Sequence, residues 1–182
     1  MTKTDIPALQ PLRTPNMHIR DERPSDIVAI EAVTIAAFKQ AVHSEHTEQF
    51  IVRELRNAAA MTISLVAEDN DAVIGHVAIS PVSLSGGETS WYGLGPVSVA
   101  PERQNNGIGS QLVRTALVRL QGLGAAGCVV LGDPGYYSRF GFKPSAQMQL
   151  PGVPAEYFQM FAFNGEPPAG TVAYHPAFTV KA

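Results

Sequence analysis

The segment Leu94 to Gly109, LGPVSVAPERQNNGIG, constrains this chain more than any other. An apolar strand pattern passes through Pro101 into a polar loop, and the loop opens a helical pattern with glycines at its first turn. That helix reads from about Gly107 to Gln121. Ile108, Leu112, Ala116 and Leu120 recur every four residues, with Val113 and Leu117 beside them. Amides at a helix start have no partner inside the helix and carry the positive end of its dipole. Such a start binds phosphate or pyrophosphate. Gly107 and Gly109 lack a Cβ, so a bulky anion can approach the backbone, and Arg103 can add a positive charge at the rim. A plain strand–turn–helix with glycines for tight packing is the alternative. The spacing is not a P-loop, because no Gly-Lys-Ser/Thr follows, and not a dinucleotide fingerprint, because the first glycine is missing.

Around this segment strand and helix patterns alternate, which argues for an α/β or α+β fold. A length of 182 residues suits one domain. Strand patterns cover Met17–Arg20, Thr62–Glu68, Val73–Val82, Thr89–Val99 and Cys128–Leu131, with hairpin chemistry at Asp69-Asn70-Asp71 and a turn at Ser85-Gly86-Gly87. Arg23-Pro24-Ser25-Asp26 resembles a helix start. Ile27, Ile30, Val33, Ile35 and Phe38 follow at helical spacing. A second helix is expected from Thr47 to Asn57 with Phe50, Ile51 and Leu55 inward, and a brief helix or turn over Gly135–Phe140. The last forty residues offer short strands at Tyr157–Phe163 and Thr171–Tyr174. Residues 1–16, with three prolines and no long apolar run, read as a flexible tail rather than a signal peptide.

Composition excludes several classes of function. Thirteen Lys and Arg against sixteen Asp and Glu, with no basic cluster, give no electrostatic reason for a nucleic-acid partner. No apolar run is long enough to span a bilayer. A single cysteine, Cys128, allows no internal disulfide and fits a reducing compartment, so a cytoplasmic enzyme is expected. The apolar run Gly-Cys-Val-Val-Leu marks Cys128 as buried and inert.

Two blocks carry a family resemblance. Val97-Ser98-Val99-Ala100-Pro101 followed by Arg103-Gln104-Asn105-Asn106-Gly107-Ile108-Gly109 resembles motif A of the GNAT acetyltransferases, Gln/Arg-x-x-Gly-x-Gly/Ala. Tyr137-Ser138-Arg139-Phe140-Gly141-Phe142 resembles the end of that family's motif B, Tyr-x-x-x-Gly-Phe. The resemblance covers roughly Met17 to Ser145. The phrases Leu131–Tyr137 and Thr171–Phe178 are similar to the YhbS-like bacterial branch.

The resemblance implies a GNAT fold: a mixed, mostly antiparallel sheet of six or seven strands, about four helices, and a V between the strand ending at Val99 and the strand at Cys128–Leu131. Residues 17–182 would form that domain, with 146–182 as an extension. Acetyl-CoA would lie in the V, with no metal. Its pantetheine arm would pair with the main chain of Val97, Ser98 and Val99. Its pyrophosphate would sit on the run from Arg103 and Gln104 through Asn105, Asn106, Gly107, Ile108 and Gly109 to Ser110. A strand amide near Val97 would polarise the thioester carbonyl, and Tyr137 would act as general acid on the leaving sulfur.

The base does not carry over. Relatives place a Glu on the fourth strand, but Thr89 to Pro101 holds no acid and no histidine. Candidates are His76, Glu31, Asp133 and the His43-Ser44-Glu45-His46 cluster, or a water chain to bulk solvent. His76 also reads as a strand histidine facing solvent, Asp133-Pro134 as turn chemistry and Glu31 as a solvated helix position. The implied acceptor is an amine of a small molecule or of a protein N-terminus or lysine, and Lys39–Glu48 hints at a cationic one. The extension would cover the acceptor or support a homodimer. A catalytically silent acyl-CoA-binding module is the rival.

Overall fold

The computed structural model describes residues 16–41 and 44–181. Of the expected tail only Asn16 falls within them, and His43 lies outside. Strand β1 (Met17–Asp21) leads into a 3-10 turn (Pro24–Asp26) and helix α1 (Ile27–Phe38). The Asp26 carboxylate accepts the Arg23 amide at 2.7 Å and the Arg20 guanidinium at 2.6 Å, which ties the helix start to the first strand. Ile30, Val33 and Thr34 form the buried face of α1. Ile35, expected inward, is 46% exposed. Thr34 turns inward in its place. Its hydroxyl donates to the Ile30 carbonyl at 2.8 Å and meets the Ser98 hydroxyl at 3.3 Å, so a polar residue is accommodated against the sheet.

Helix α2 (Glu48–Asn57) buries Ile51, Val52 and Leu55. Strands β2 (Ile63–Asp69) and β3 (Ala72–Pro81) form the expected hairpin. Asn70 and Asp71 both take positive φ, 49° and 63°, as a two-residue turn between right-twisted strands demands. After β4 (Ser83–Leu84) come β5 (Trp91–Val99), a 3-10 turn (Pro101–Arg103), α3 (Ile108–Gly122), β6 (Gly127–Leu131) and α4 (Pro134–Tyr137). The chain ends through β7 (Lys143–Pro144), β8 (Met148–Gln149), β9 (Phe158–Ala162), β10 (Gly170–Ala173) and a 3-10 turn (Pro176–Thr179). The two-residue strands β4, β7 and β8 are too short to show any periodicity in the sequence.

Seven strands form one sheet in the order β1-β2-β3-β5-β6-β9-β7. Only the β5–β6 pair in it is parallel, so the sheet is mixed and mostly antiparallel, flanked by four helices. A smaller sheet joins β4, β10 and β8. Helix α3 covers one face of the large sheet, with Leu112 and Ile108 closing over Gly75. Helices α1 and α2 pack on the other. Strands covered on both sides read as continuous apolar runs, which explains the near-complete burial of β2 and β3.

Two irregularities in β5 open the sheet. Val77 pairs with Val97 and Ile79 with Leu94, so Ala78 alone faces both Gly95 and Pro96. Pro96, which has no N–H to give, sits in that bulge. On its other side β5 pairs with β6 only from Trp91 to Gly93, against Gly127 to Val129. Beyond Gly93 the two parallel strands part, and Leu94–Val99 borders an open wedge.

Candidate active site

The wedge exposes a row of main-chain donors. The Ala100 amide donates to Ile74 on β3 at 2.9 Å. Strand amides alternate sides, so the amides of Val97 and Val99 point away from β3 into the wedge. The Ser98 side chain faces the opposite way, buried against Thr34 under α1. By the same alternation its main-chain amide is on the β3 side, so Ser98 offers the wedge no donor, against the main-chain role expected of it.

The loop after β5 continues the row. Gly107, at φ +77°, caps α3 in a conformation that other residues resist, and nothing lies within 4 Å of where its side chain would stand. The first ladder bond of α3 runs from the Gln111 amide to the Gly107 carbonyl at 3.0 Å. The amides from Asn105 to Ser110 have no protein acceptor among the described residues. The Gln104 amide is an exception within the expected run, because it donates to the Pro101 carbonyl at 3.3 Å. Side chains shape this loop from within. Gln104 donates to the Val99 carbonyl at 3.1 Å, and Asn106 donates to the carbonyls of Arg103 and Gln104 at 3.1 and 2.9 Å. Gly109 serves differently than expected: a Cβ there would stand 3.0 Å from the Tyr136 hydroxyl, so its bareness admits that tyrosine.

These residues line a cleft of about 670 Å³ with Val97, Val99, Ile108, Gly109 and Ser110 in its wall. Arg103 is at its rim but is ion-paired to Asp69. Arg139, which the sequence reading missed, also lines it and lies 4.6 Å from the Tyr136 ring centre. Its position within the second motif was the available signal.

A second cleft of about 950 Å³ adjoins the first, and Phe38, Ala41, Val97 and Tyr137 border both. Tyr137 is thus at the junction. Its ring packs edge-on against Tyr136 at 5.0 Å and Phe142 at 6.0 Å. Burial, with smaller pushes from Tyr136 and Cys128, drives its hydroxyl well above the usual phenol range, so it is a proton donor at neutral pH. Cys128 is fully buried and burial raises its thiol likewise, which leaves it no nucleophilic role.

The candidate bases scatter. His76 is fully buried beneath α1 and α2, with Nε2 2.8 Å from the Ser64 hydroxyl and 3.7 Å from the Glu22 carboxylate. It lines neither cleft, and it does not face solvent, the alternative expected of a strand histidine. Burial depresses its pKa despite the pull of Glu22 in the other direction. Glu31 is half-buried on α1 and lines neither cleft. Asp133 does line the larger cleft, while its carboxylate caps α4 by accepting the Gly135 amide at 3.0 Å. Of the 43–46 cluster, Ser44 reaches the larger cleft, where it donates to Glu48 at 2.6 Å. Glu48, which ends the Lys39–Glu48 segment that hints at a cationic acceptor but is not itself singled out there, and Tyr174, outside every candidate, also line this cleft. An acid in the first turn of α2 marked the first; nothing in the short tail strands marked the second.

A profile of the acetyltransferase (GNAT) domain matches residues 60–144. The chain is 37% identical to the N-acetyltransferase YhbS of Escherichia coli strain K12 over 172 residues, 89% of this chain and 98% of that protein. The chain belongs to the GNAT family of N-acetyltransferases. Crystal structures of two GNAT proteins superpose closely. One, from Brucella melitensis in complex with acetyl-CoA, has a TM-score of 0.80 at 53% identity, covering 89% of this chain and 97% of that one. The other, Escherichia coli YhbS in complex with CoA, has a TM-score of 0.83 at 33% identity over 94% and 97%. The GNAT fold therefore accounts for the parted strands, which are β5 and β6 here because β4 precedes them.

Proposed function

We propose that this GNAT chain moves an acetyl group from acetyl-CoA directly to a primary amine. The observation that carries the reading is the meeting of two clefts at Tyr137, one of them floored by unpartnered amides. The donors from Asn105 to Ser110, with the dipole of α3 behind them and Arg139 beside them, fit a pyrophosphate. The free amide of Val99 fits an amide carbonyl of a pantetheine arm, and that of Val97 is left for the thioester carbonyl. The relatives from Brucella melitensis and Escherichia coli hold acetyl-CoA and CoA.

Acetyl-CoA supplies an acetyl group activated as a thioester. The acceptor is an ammonium at neutral pH, with a pKa of about 10.4, and first loses one proton to bulk water; its nitrogen then forms the new N–C bond, the C–S bond breaks, and the sulfur must end protonated. The Val97 amide stabilises negative charge on the carbonyl oxygen. Tyr137 donates to the sulfur and recovers a proton from the amine through solvent. A thiol pKa of about 8.5 asks for modest help only.

A silent acyl-CoA-binding module is the second reading, favoured by the absence of an acid or histidine on β5. Calorimetry with acetyl-CoA, then free-thiol release across amines and lysine peptides, separates the two. Binding with amine-dependent thiol release supports transfer. Binding without release supports the silent module, and no binding overturns both.

A further inference from the structure

Gln159 lies on β9 with no exposed surface, although glutamine is mostly a surface residue. It is opposite Val130 of β6 on one side and Pro144 of β7 on the other. Its Nε2 donates to the Gly132 carbonyl at 3.2 Å. Its Oε1 is buried and has no donor among the described residues. Turning the amide over would set oxygen against oxygen at Gly132, so the carbonyl fixes which end is the donor. Burying an amide with one atom unpaired costs stability that a methionine of similar size would not. What the residue gains in return is the bond to Gly132.

Gly132 is the point where the chain leaves the sheet for Tyr137. The ladder between β6 and β9 ends at Leu131 and Phe158. Beyond it the Gly132 amide donates to the Tyr157 carbonyl at 2.9 Å, and no donor other than Gln159 reaches the Gly132 carbonyl among the described residues. The next residue, Asp133, accepts the amides of Tyr136 and Tyr137 on its carbonyl, both at 3.0 Å, so α4 starts directly from this anchor. The Tyr137 ring also rests on the bare Cα of Gly132, where a Cβ has no room. Its other neighbours are the rings of Tyr136, Phe140 and Phe142, at centroid distances of 5.0, 6.2 and 6.0 Å. Apolar packing is weakly directional, whereas a hydrogen bond sets both a length and an angle.

We propose that Gln159 is a positioning residue for the proton donor of the transfer step. It lines neither cleft, so it acts at a distance from the reacting atoms. Its Nε2 holds the Gly132 peptide, and that peptide sets the height and tilt of the Tyr137 ring at the junction of the clefts. The inference rests on the acetyl-transfer reading and adds to it the residue that holds the tyrosine in place.

The test is a double-mutant cycle on the full chain. Gln159→Met nearly keeps the volume and removes the donor. Single-turnover thiol release from acetyl-CoA is measured in the wild type, Gln159→Met, Tyr137→Phe and the double variant, with the amine or lysine peptide that the wild type turns over fastest. Gln159→Met is expected to slow release by about tenfold or more, while acetyl-CoA affinity by calorimetry stays within about threefold. In the Tyr137→Phe background the same substitution changes release by less than about threefold, because the hydroxyl it places is gone. A residue that only supports the fold would slow both backgrounds alike.

Gln159→Glu reads the hydrogen bond itself. Burial raises the pKa of the introduced acid, which donates an O–H to the Gly132 carbonyl when neutral and opposes it with an oxygen when ionised. The ratio of its rate to the wild-type rate is expected to rise as pH is lowered, while the ratio for Gln159→Met stays flat. If Gln159→Glu does not fold, the methionine cycle decides alone. Wild-type release in Gln159→Met or in Tyr137→Phe, equal losses in the two backgrounds, or a flat ratio in folded Gln159→Glu each overturns the proposal. The acetyl-transfer reading survives all of these while the wild type still releases thiol in response to an amine. A wild type that binds acetyl-CoA and releases no thiol overturns both.

Discussion

Tyr137 packs so closely over Gly132 that a Cβ on that glycine would stand 2.4 Å from the tyrosine Cε2. The residue that follows β6 thus fixes the ring that joins the two clefts. A methyl group at 132 has to displace the ring, since the opposing atoms belong to an aromatic held by Tyr136 and Phe142. Gly132→Ala is expected to lower kcat by about 10- to 100-fold, the scale at which a displacement of about 1 Å acts. Affinity for acetyl-CoA stays within about threefold, because the amides proposed for its pyrophosphate are at the start of α3, away from Gly132. Steady-state kinetics beside a binding titration check this, and an unchanged kcat contradicts it.

Tyr137→Phe removes the hydroxyl and keeps the packing. A loss of about 10²-fold in the acetyl-transfer step is expected, the low end for a general acid because the thiolate is a fair leaving group. Single-turnover thiol release is the measurement. Wild-type rates in that assay contradict the acid role.

Gly107→Val meets two obstacles. A β-branched residue at φ +77° is strained, by about 1–2 kcal/mol or more, and its side chain enters the smaller cleft, proposed for the cofactor. Acetyl-CoA affinity is expected to fall by about tenfold or more. Gly107→Asn tolerates the backbone better, so it restores much of the melting temperature but not the affinity. Equal affinity in Gly107→Val counts against the anion site.

Stability falls in acid through the network beneath α1 and α2. Burial opposes the charge of Glu22, yet the His76 ring nitrogen 3.7 Å away and the hydrogen bonds donated by Arg56 and Ser64 together outweigh it and hold Glu22 at about 2, against an ordinary 4.5. A depressed carboxylate contributes stability above its unfolded pKa and loses it as pH falls toward the folded value. His76 is also depressed, so below its ordinary 6.5 the unfolded chain takes up a proton that the folded chain refuses. Both groups act in one direction. The melting temperature is expected to drop from pH 7 to 5 through His76, and further below 4.5 through Glu22. His76→Gln flattens the upper part and keeps the lower. A wild-type melting temperature that rises between pH 7 and 5 contradicts this account.

The glycine-bearing helix start and the tyrosine of the second motif were legible in the sequence because backbone chemistry writes itself locally. Gly107 is there for a φ, and a φ belongs to one residue. The apolar runs of β2 and β3 and the four-residue spacing of α3 were legible as local patterns too. Facing was not. Ile35 and Thr34 are neighbours on α1, and only contact with Ser98 across 64 positions turns the threonine inward. His76 looked like a site residue, but its partners Glu22 and Ser64 come from two other segments. Glu48 and Tyr174 are 126 residues apart in sequence, and only the tail folding back over α2 brings them to one cavity.

The central claim is that open amides at the start of α3 hold the diphosphate of acetyl-CoA. Amide hydrogen exchange, measured with and without saturating acetyl-CoA, reads those donors one by one. Slowed exchange at Asn105 to Ser110 and at Val97 and Val99 is the predicted result. Bound acetyl-CoA that leaves the exchange of Asn105 to Ser110 unchanged would contradict it.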